Sequence, residues 1–342
     1  MTNSYLQKLN EVISGSNQIL IITHFNPDGD AIGSTLALHH YLAARGKKTA
    51  MLVPNAFPEF LSFLHGSERI VIFDEHPLKA KKLVETADLV FCVDLSALNR
   101  LKEIAQLLQN SAAPRILVDH HPDPEDDFTY KISRIEVSST SELIYELIID
   151  LGDEKMIDKK MAECLFVGIM TDTGSFSFSC NYPSTFRIVS NLLETGINAE
   201  LIHQKVYDTF SEDRLRLLGF CLSEKLVVLK DYGTAYIALS RHDLEYFNFK
   251  PGDTEGVVNY ALSIKGIVFA ALFTEKDDIV RISFRSKGDF SVNDFARTHF
   301  NGGGHKNAAG ADSYKSLDET LSNFITILYD HKEQLQLLSE IS

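Results

Sequence analysis

QILIITHFNPDGDAIGSTLALHHYLAARG occupies residues 18–46, and the order of its parts decides the fold. Residues 18–23 form an apolar run too short for a helix, which closes on His24. A turn containing Pro27 and Gly29 follows, and a helical pattern then runs over 31–45 until Gly46 stops it. The same grammar recurs downstream: apolar runs at 89–93 and 116–118 end on Asp94 and Asp119. A further run at 165–170 ends on Thr171 and Asp172, and reads equally as the end of a helix. Helical patterns at 78–86, 97–110 and 141–150 fill the intervals. Strands alternating with helices predict an α/β fold, a parallel sheet with helices on both faces, whose ligands sit outside the carboxyl ends of the strands. The acidic residues stand at those ends.

Past residue 180 the pattern changes. Residues 183–196 read as a helix and 198–225 as one or two more, followed by β-like runs at 225–229, 234–240, 267–273 and 279–284 and a closing helix near 317–338. This predicts an N-terminal domain at 1–190, a helical connector at 191–225 and a smaller α+β domain at 226–342. The chain has 342 residues, with 47 Asp and Glu against 33 Lys and Arg; the net charge of -14 argues against a coat for long duplex nucleic acid or an anionic membrane. Cys92, Cys164, Cys180 and Cys221 lie far apart with no CxxC pair, so neither a disulfide framework nor a thiolate zinc site is expected. No apolar run approaches the roughly 20 residues of a membrane helix, and no signal-peptide pattern is present, so a cytoplasmic protein is expected.

The densest chemistry lies at 24–34. His24, Asp28 and Asp30 fall within seven residues on a turn, and Asp28 and Asp30 flank Gly29 so that each can face a different ion. Asp94, His120 and Asp172 add to them, giving two nitrogens and four carboxylates. Such a set suits Mn²⁺ or Mg²⁺ better than a thiolate-seeking ion, and holds two ions if one carboxylate bridges them. Two ions about 3.5–4 Å apart serve phosphoryl displacement. A strand-end Asp taken alone is commonly a helix N-cap; the repetition of the pattern favours metal.

HFNPDGDAIGS at 24–34, VDLS at 93–96, VDHH at 118–121, TDTGSF at 171–176 and NGGGHKNAAG at 301–310 together resemble the DHH phosphoesterase family, named for the triplet Asp119-His120-His121. The last motif resembles the DHH-associated C-terminal domain, which places the chain near the stand-alone bacterial nanoRNases that also dephosphorylate pAp. The resemblance implies that His24 and Asp28 hold one ion, that Asp30, His120 and Asp172 hold the other, and that Asp94 bridges them. His121 would sit near the scissile phosphate and Asp119 would orient the histidines. Mn²⁺ is the implied metal, with Mg²⁺ or Co²⁺ as substitutes. Arg285, Ser286, Gly302, Gly303, Gly304 and His305 would bind substrate phosphate; Asn301 stands where the family often has a fourth glycine.

Residues 281–306 support this, carrying Arg281, Arg285, Lys287, Arg297 and Lys306 against Asp289 and Asp294, a local +3 in an acidic chain. Phe284, Phe290, Phe295 and Phe300 recur at intervals that suit a core better than base stacking. The expected function is metal-dependent hydrolysis of single-stranded RNA or DNA oligonucleotides of two to five residues to mononucleotides, and of pAp to AMP. Linear or cyclic dinucleotide phosphodiesterase, RecJ-like exonuclease, pyrophosphatase and non-catalytic nucleotide sensor are the alternatives. Relatives are often dimers, so a homodimer is a further expectation.

Overall fold

The computed structural model describes residues 3–341. The chain divides into two compact units between Thr209 and Phe210.

In the first unit six strands form a wholly parallel sheet: β1 (Gln18–Ile22), β2 (Lys48–Val53), β3 (Val71–Ile72), β4 (Leu89–Val93), β5 (Arg115–Asp119) and β6 (Tyr130–Ser133), in the order β3-β2-β1-β4-β5-β6. The central strands are apolar without a break because both faces are covered. Ile19 and Ile21 of β1, Leu89, Phe91 and Val93 of β4, and Ile116 and Val118 of β5 enter one apolar layer. The alternate residues Leu20, Ile22, Val90, Cys92 and Leu117 enter the other. Helices Asn3–Gly15, Gly29–Ala44, Thr140–Asp150 and Lys159–Asp172 contribute to the first layer, and Pro77–Thr86 and Glu103–Gln109 to the second. Progress along the sheet reverses between β1 and β4, the point at which open α/β sheets leave a crevice beyond their strand ends. His24 follows β1 and Asp94 follows β4.

Helices Gly29–Ala44 and Lys159–Asp172 pack backbone to backbone where Gly33 faces Gly168. A Cβ on Gly33 would lie 2.5 Å from the Cys164 carbonyl oxygen, and one on Gly168 would collide with Ser141 Oγ and stand 2.6 Å from Asp30 Oδ1. The segment 165–170 is thus helix, which carries Asp172 at its C-terminal end. The single helix expected over 97–110 is divided into a 3-10 turn, Leu98–Leu101, and the helix Glu103–Gln109, because Lys102 takes a left-handed φ of 53°.

The second unit holds a sheet of β7 (Leu226–Leu229), β8 (Thr234–Leu239), β9 (Phe269–Lys276), β10 (Ile279–Ser286), β11 (Gly303–His305) and β12 (Ala308–Ser313), in the order β11-β12-β10-β9-β8-β7. Its pairings are antiparallel apart from β8 with β9. Phe284, Phe290, Phe295 and Phe300 are all buried in its core. Of the helices in the stretch 198–225, Ala199–Tyr207 gives Ile202 and Val206 to the first unit's core, and Glu212–Phe220 gives Leu217 to the second's. The closing helix is interrupted at His331, giving Leu317–Asp330 and Lys332–Ile341. All four cysteines are unpaired, three of them buried. Among the described residues no helix is long and apolar enough to cross a membrane.

Candidate metal centre

His24 leaves the end of β1 with Nδ1 2.9 Å from the Phe25 carbonyl oxygen. A carbonyl only accepts, so Nδ1 carries the hydrogen and Nε2 presents its lone pair. That lone pair lies 3.3 Å from Asp94 Oδ2, yet Nε2 is buried without a hydrogen-bond partner among the described residues. Two buried acceptors this close need a cation or a proton between them. The chemistry of the donors therefore fits a metal ion.

Asp28 caps the Gly29–Ala44 helix, its Oδ1 accepting from the backbone N–H of Asp30 and Ala31 at 3.1 and 3.0 Å. Asp30 occupies the first turn of that helix and is buried. Its oxygens accept from Thr140 N–H at 2.6 Å and Ser141 N–H at 2.9 Å, so the N-terminus of the Thr140–Asp150 helix grips it. Asp94 has a left-handed φ of 58°, a conformation that Asp tolerates better than most residues, and Thr140 Oγ1 donates to its Oδ1 at 2.9 Å. His120 Nε2 lies 3.3 Å from Asp172 Oδ2 and 3.7 Å from Asp94 Oδ1. His121 Nδ1 is 2.7 Å from Oδ1 of the fully buried Asp119, whose Oδ2 has no hydrogen-bond partner among the described residues.

His24, Asp28 and Asp94 each bring a ligand atom within 4.8 Å of the others, and so do Asp30, His120 and Asp172. These six residues are the two nitrogens and four carboxylates singled out in the sequence. Asp94, Asp119 and His121 form a third such group.

The charges in the cluster oppose one another. Burial penalises the Asp94 charge, but the imidazoles of His24, His121 and His120 outweigh it and hold the carboxyl well below its ordinary range. Burial and then the Asp94 charge push Asp30 well above that range. Burial works against a proton on His24 too, but Asp94 and Asp28 raise its basicity on balance, whereas burial lowers that of His120. A shared cation relieves the repulsion between the two carboxylates.

Three contributors escaped the sequence reading. Ser138, Ser139, Thr140, Ser141 and Glu142 are all buried. The Glu142 carboxylate accepts from Ser138 N–H and Oγ, Ser184 Oγ and Thr185 Oγ1 at 2.6–3.1 Å. This network fixes the helix end that grips Asp30 and Asp94, and the run of small hydroxyl residues before Glu142 was the available signal. Asn55 accepts from Asn26 N–H at 2.7 Å and donates to Asn26 Oδ1 at 2.9 Å, bracing the turn between His24 and Asp28. Nothing in the sequence pairs these two asparagines. Arg100 is the third: its Nη1 lies 3.3 Å from the Asp94 carbonyl oxygen and 3.4 Å from His121 Nε2.

In the second unit Arg285 stands on β10, its Nη1 donating to the Phe284 carbonyl at 2.9 Å. Ser286 is buried; its Oγ donates to the Phe290 carbonyl at 2.6 Å and accepts from Asn307 Nδ2 at 2.9 Å, bracing the loop beyond β10. Gly304 has a φ of 153° and its N–H donates to Asn293 Oδ1 at 2.9 Å. A Cβ on Gly302 or Gly304 would strike the carbonyl of Gly310 or Ala308 on the facing strand β12, whereas Gly303 is not so confined. Asn301, in place of a glycine, takes the left-handed φ of 51° at the end of the Val292–Phe300 helix. His305 ends β11.

Residues 18–169 match the DHH family, N-terminal domain, and residues 233–330 match the DHHA1 domain. The chain is 29% identical over 331 residues to the bifunctional oligoribonuclease and PAP phosphatase NrnA of Bacillus subtilis (strain 168), covering 95% of this chain and 99% of that one. It is 30% identical to the protein of the same name from Thermus thermophilus, covering 88% of this chain and 85% of the relative. An exopolyphosphatase-related protein from Bacteroides fragilis, known from its crystal structure, superposes with a TM-score of 0.94 at 40% identity over 98% of each chain. The chain belongs to the DHH family of phosphoesterases. It is accordingly a hydrolase that depends on divalent metal.

Proposed function

We propose that this enzyme degrades short single-stranded oligonucleotides, two to five residues long, to mononucleotides and removes the 3′-phosphate of pAp. The relatives named for both activities match nearly the whole chain and support this choice of substrates. The observation that carries the chemistry is the attitude of Asp94: Oδ2 faces His24 at 3.3 Å and Oδ1 faces His120 at 3.7 Å. One carboxylate thus addresses both ligand sets, as a bridging ligand must.

In this reading His24, Asp28 and Asp94 hold one ion and Asp30, His120, Asp172 and Asp94 the other. Mn²⁺ is the ion that the mixed oxygen and nitrogen donors favour, with Mg²⁺ or Co²⁺ as substitutes. Bound there, two divalent ions supply an acidified water and neutralise charge on a phosphoryl group under in-line attack. Asp119 holds the His121 ring through Nδ1, which turns Nε2 toward the substrate phosphate. Arg285, the glycine run 302–304 and His305 bind a further phosphate of the substrate, and Ser286 enters through the loop it braces.

The test is Mn²⁺-dependent turnover of pAp, pApA, a 3-mer and a 24-mer RNA, pyrophosphate and cyclic di-AMP, read by product separation. Conversion of pAp and the 3-mer, with the 24-mer and pyrophosphate spared, is expected. Turnover of pyrophosphate alone overturns the nucleotide reading, and tight nucleotide binding without turnover makes the chain a sensor.

A further inference from the structure

Arg100 sits in the 3-10 turn Leu98–Leu101 directly after the Asp94 loop, and its carbonyl accepts from Phe25 N–H at 2.8 Å. Its backbone is therefore tied to the loop that carries His24. From this anchor the guanidinium reaches the Asp94 carbonyl and His121 Nε2, both through Nη1. Asp119 fixes the His121 hydrogen on Nδ1, so Nε2 is the acceptor in that contact.

The choice of partners is telling. Asp28, Asp30, Asp94, Asp119 and Asp172 surround this region, yet among the described residues Arg100 lies within ion-pair distance of no carboxylate. Its two contacts, to a backbone carbonyl and an imidazole nitrogen, are long, and Nη2 and Nε make no hydrogen bond among the described residues. An arginine that is paired with a carboxylate frequently holds it in a two-bond fork. Arg100 instead keeps most of its donors uncommitted at the edge of the cluster.

The charge count gives those donors a use. Two divalent ions offset four of the five carboxylate charges, leaving one negative charge before any phosphate arrives. We propose that Arg100 contacts the scissile phosphate, its Nη2 and Nε gripping the non-bridging oxygens and supplying the positive charge that the ions leave short. The contact to His121 is its resting position, and the phosphate takes the place of that weak partner. This rests on the two-metal reading above and adds to it a catalytic residue that neither the motifs nor the resemblance assigns.

The test uses the full chain loaded with Mn²⁺. Inorganic phosphate is titrated calorimetrically into wild type and Arg100→Ala, Mn²⁺ affinity is measured by electron paramagnetic resonance, and kcat/KM is measured with pAp. Loss of one preorganised donor to a transition-state oxyanion lowers turnover about 10²–10³-fold, and a loss of that size is expected here, with phosphate affinity reduced and Mn²⁺ affinity unchanged. Added guanidinium chloride should restore part of the turnover, which it would not do for a displaced loop. Mn²⁺ affinity falling in step with turnover would show that Arg100 only braces the metal loops. Unchanged phosphate affinity and turnover would show that it touches no phosphate. Should Arg100→Ala fail to fold, Arg100→Lys carries the same measurements, with a reduced kcat/KM at wild-type Mn²⁺ affinity expected and an unchanged kcat/KM overturning the fork contact. If wild type turns over no nucleotide while phosphate binding still depends on Arg100, the substrate reading fails and the phosphate contact stands.

Discussion

Thr140→Val removes one hydrogen bond from beneath the proposed bridging carboxylate and little else. The two side chains are nearly isosteric, the site is fully buried, and the Thr140 N–H that holds Asp30 at 2.6 Å remains. What disappears is the hydroxyl donor to Asp94 Oδ1 at 2.9 Å. A hydrogen bond to a charged group contributes about 1.5–3 kcal/mol, which at 1.4 kcal/mol per decade is roughly 10- to 150-fold in an equilibrium constant. Losing a group that orients a metal ligand typically costs about 10- to 100-fold in affinity, so two independent estimates overlap. We therefore expect calorimetric Mn²⁺ affinity to fall within that overlap. Thr140→Ser, which keeps the hydroxyl, should stay near wild type. Thermal melting in EDTA separates a loss of affinity from a loss of fold, since a variant that only binds metal less well melts near wild type without metal. Mn²⁺ binding by Thr140→Val as tight as wild type would refute the argument that Thr140 aims Asp94 at the ions.

Gly168→Ala drives a methyl group into Ser141 Oγ and toward Asp30 Oδ1; overpacking of this kind costs about 1–3 kcal/mol, to be seen as a lower melting temperature together with weakened Mn²⁺ binding. Arg285→Ala should raise KM for nucleotides while sparing a small artificial phosphodiester, and equal losses on both would count against substrate binding by Arg285. Asp243 provides a test of stability away from the metals. Burial alone would raise its carboxyl, but Lys225 Nζ at 2.7 Å and the Ser240 hydroxyl and N–H hold it below the ordinary value. A depressed folded-state pKa stabilises the protein above the unfolded value and loses that contribution as pH falls through the folded one. Asp243→Asn should therefore melt below wild type at neutral pH, with the difference closing under acid conditions; a gap that persists in acid would exclude this linkage.

The strand ends were legible because burial on both faces makes β1, β4 and β5 continuous apolar runs, and the residue that terminates each is polar for a reason other than packing. β2 and β3 were not, since β2 buries only its last three residues and β3 has two residues in all. Asp172 was readable as a ligand type, while its run stayed open between a strand and a helix end, because an apolar stretch of six residues looks the same in a buried helix as in a buried strand. The phenylalanines at 284–300 fell into the core as their spacing suggested. Thr140 and Arg100 were beyond sequence reasoning for a common reason. Each acts on a residue 40 or more positions away or across a loop, through hydrogen bonds whose partners no local pattern announces.

The meeting of His24, Asp94, His120 and Asp172 at one reversal of the sheet makes the proposed ions cross-links as well as reagents. An ion held by His24 and Asp94 closes a loop of 94 − 24 = 70 residues, and one held by Asp30 and Asp172 closes 172 − 30 = 142. Constraints of that span remove conformational freedom from the open chain, in the manner of long-range disulfides, and ligands that bind only the folded form stabilise it by mass action. The first unit without ions must hold its carboxylates together by hydrogen bonds alone, whereas the loaded unit would be tied across residues 24–172. Metal supply would thereby set how long the enzyme survives as well as how fast it works.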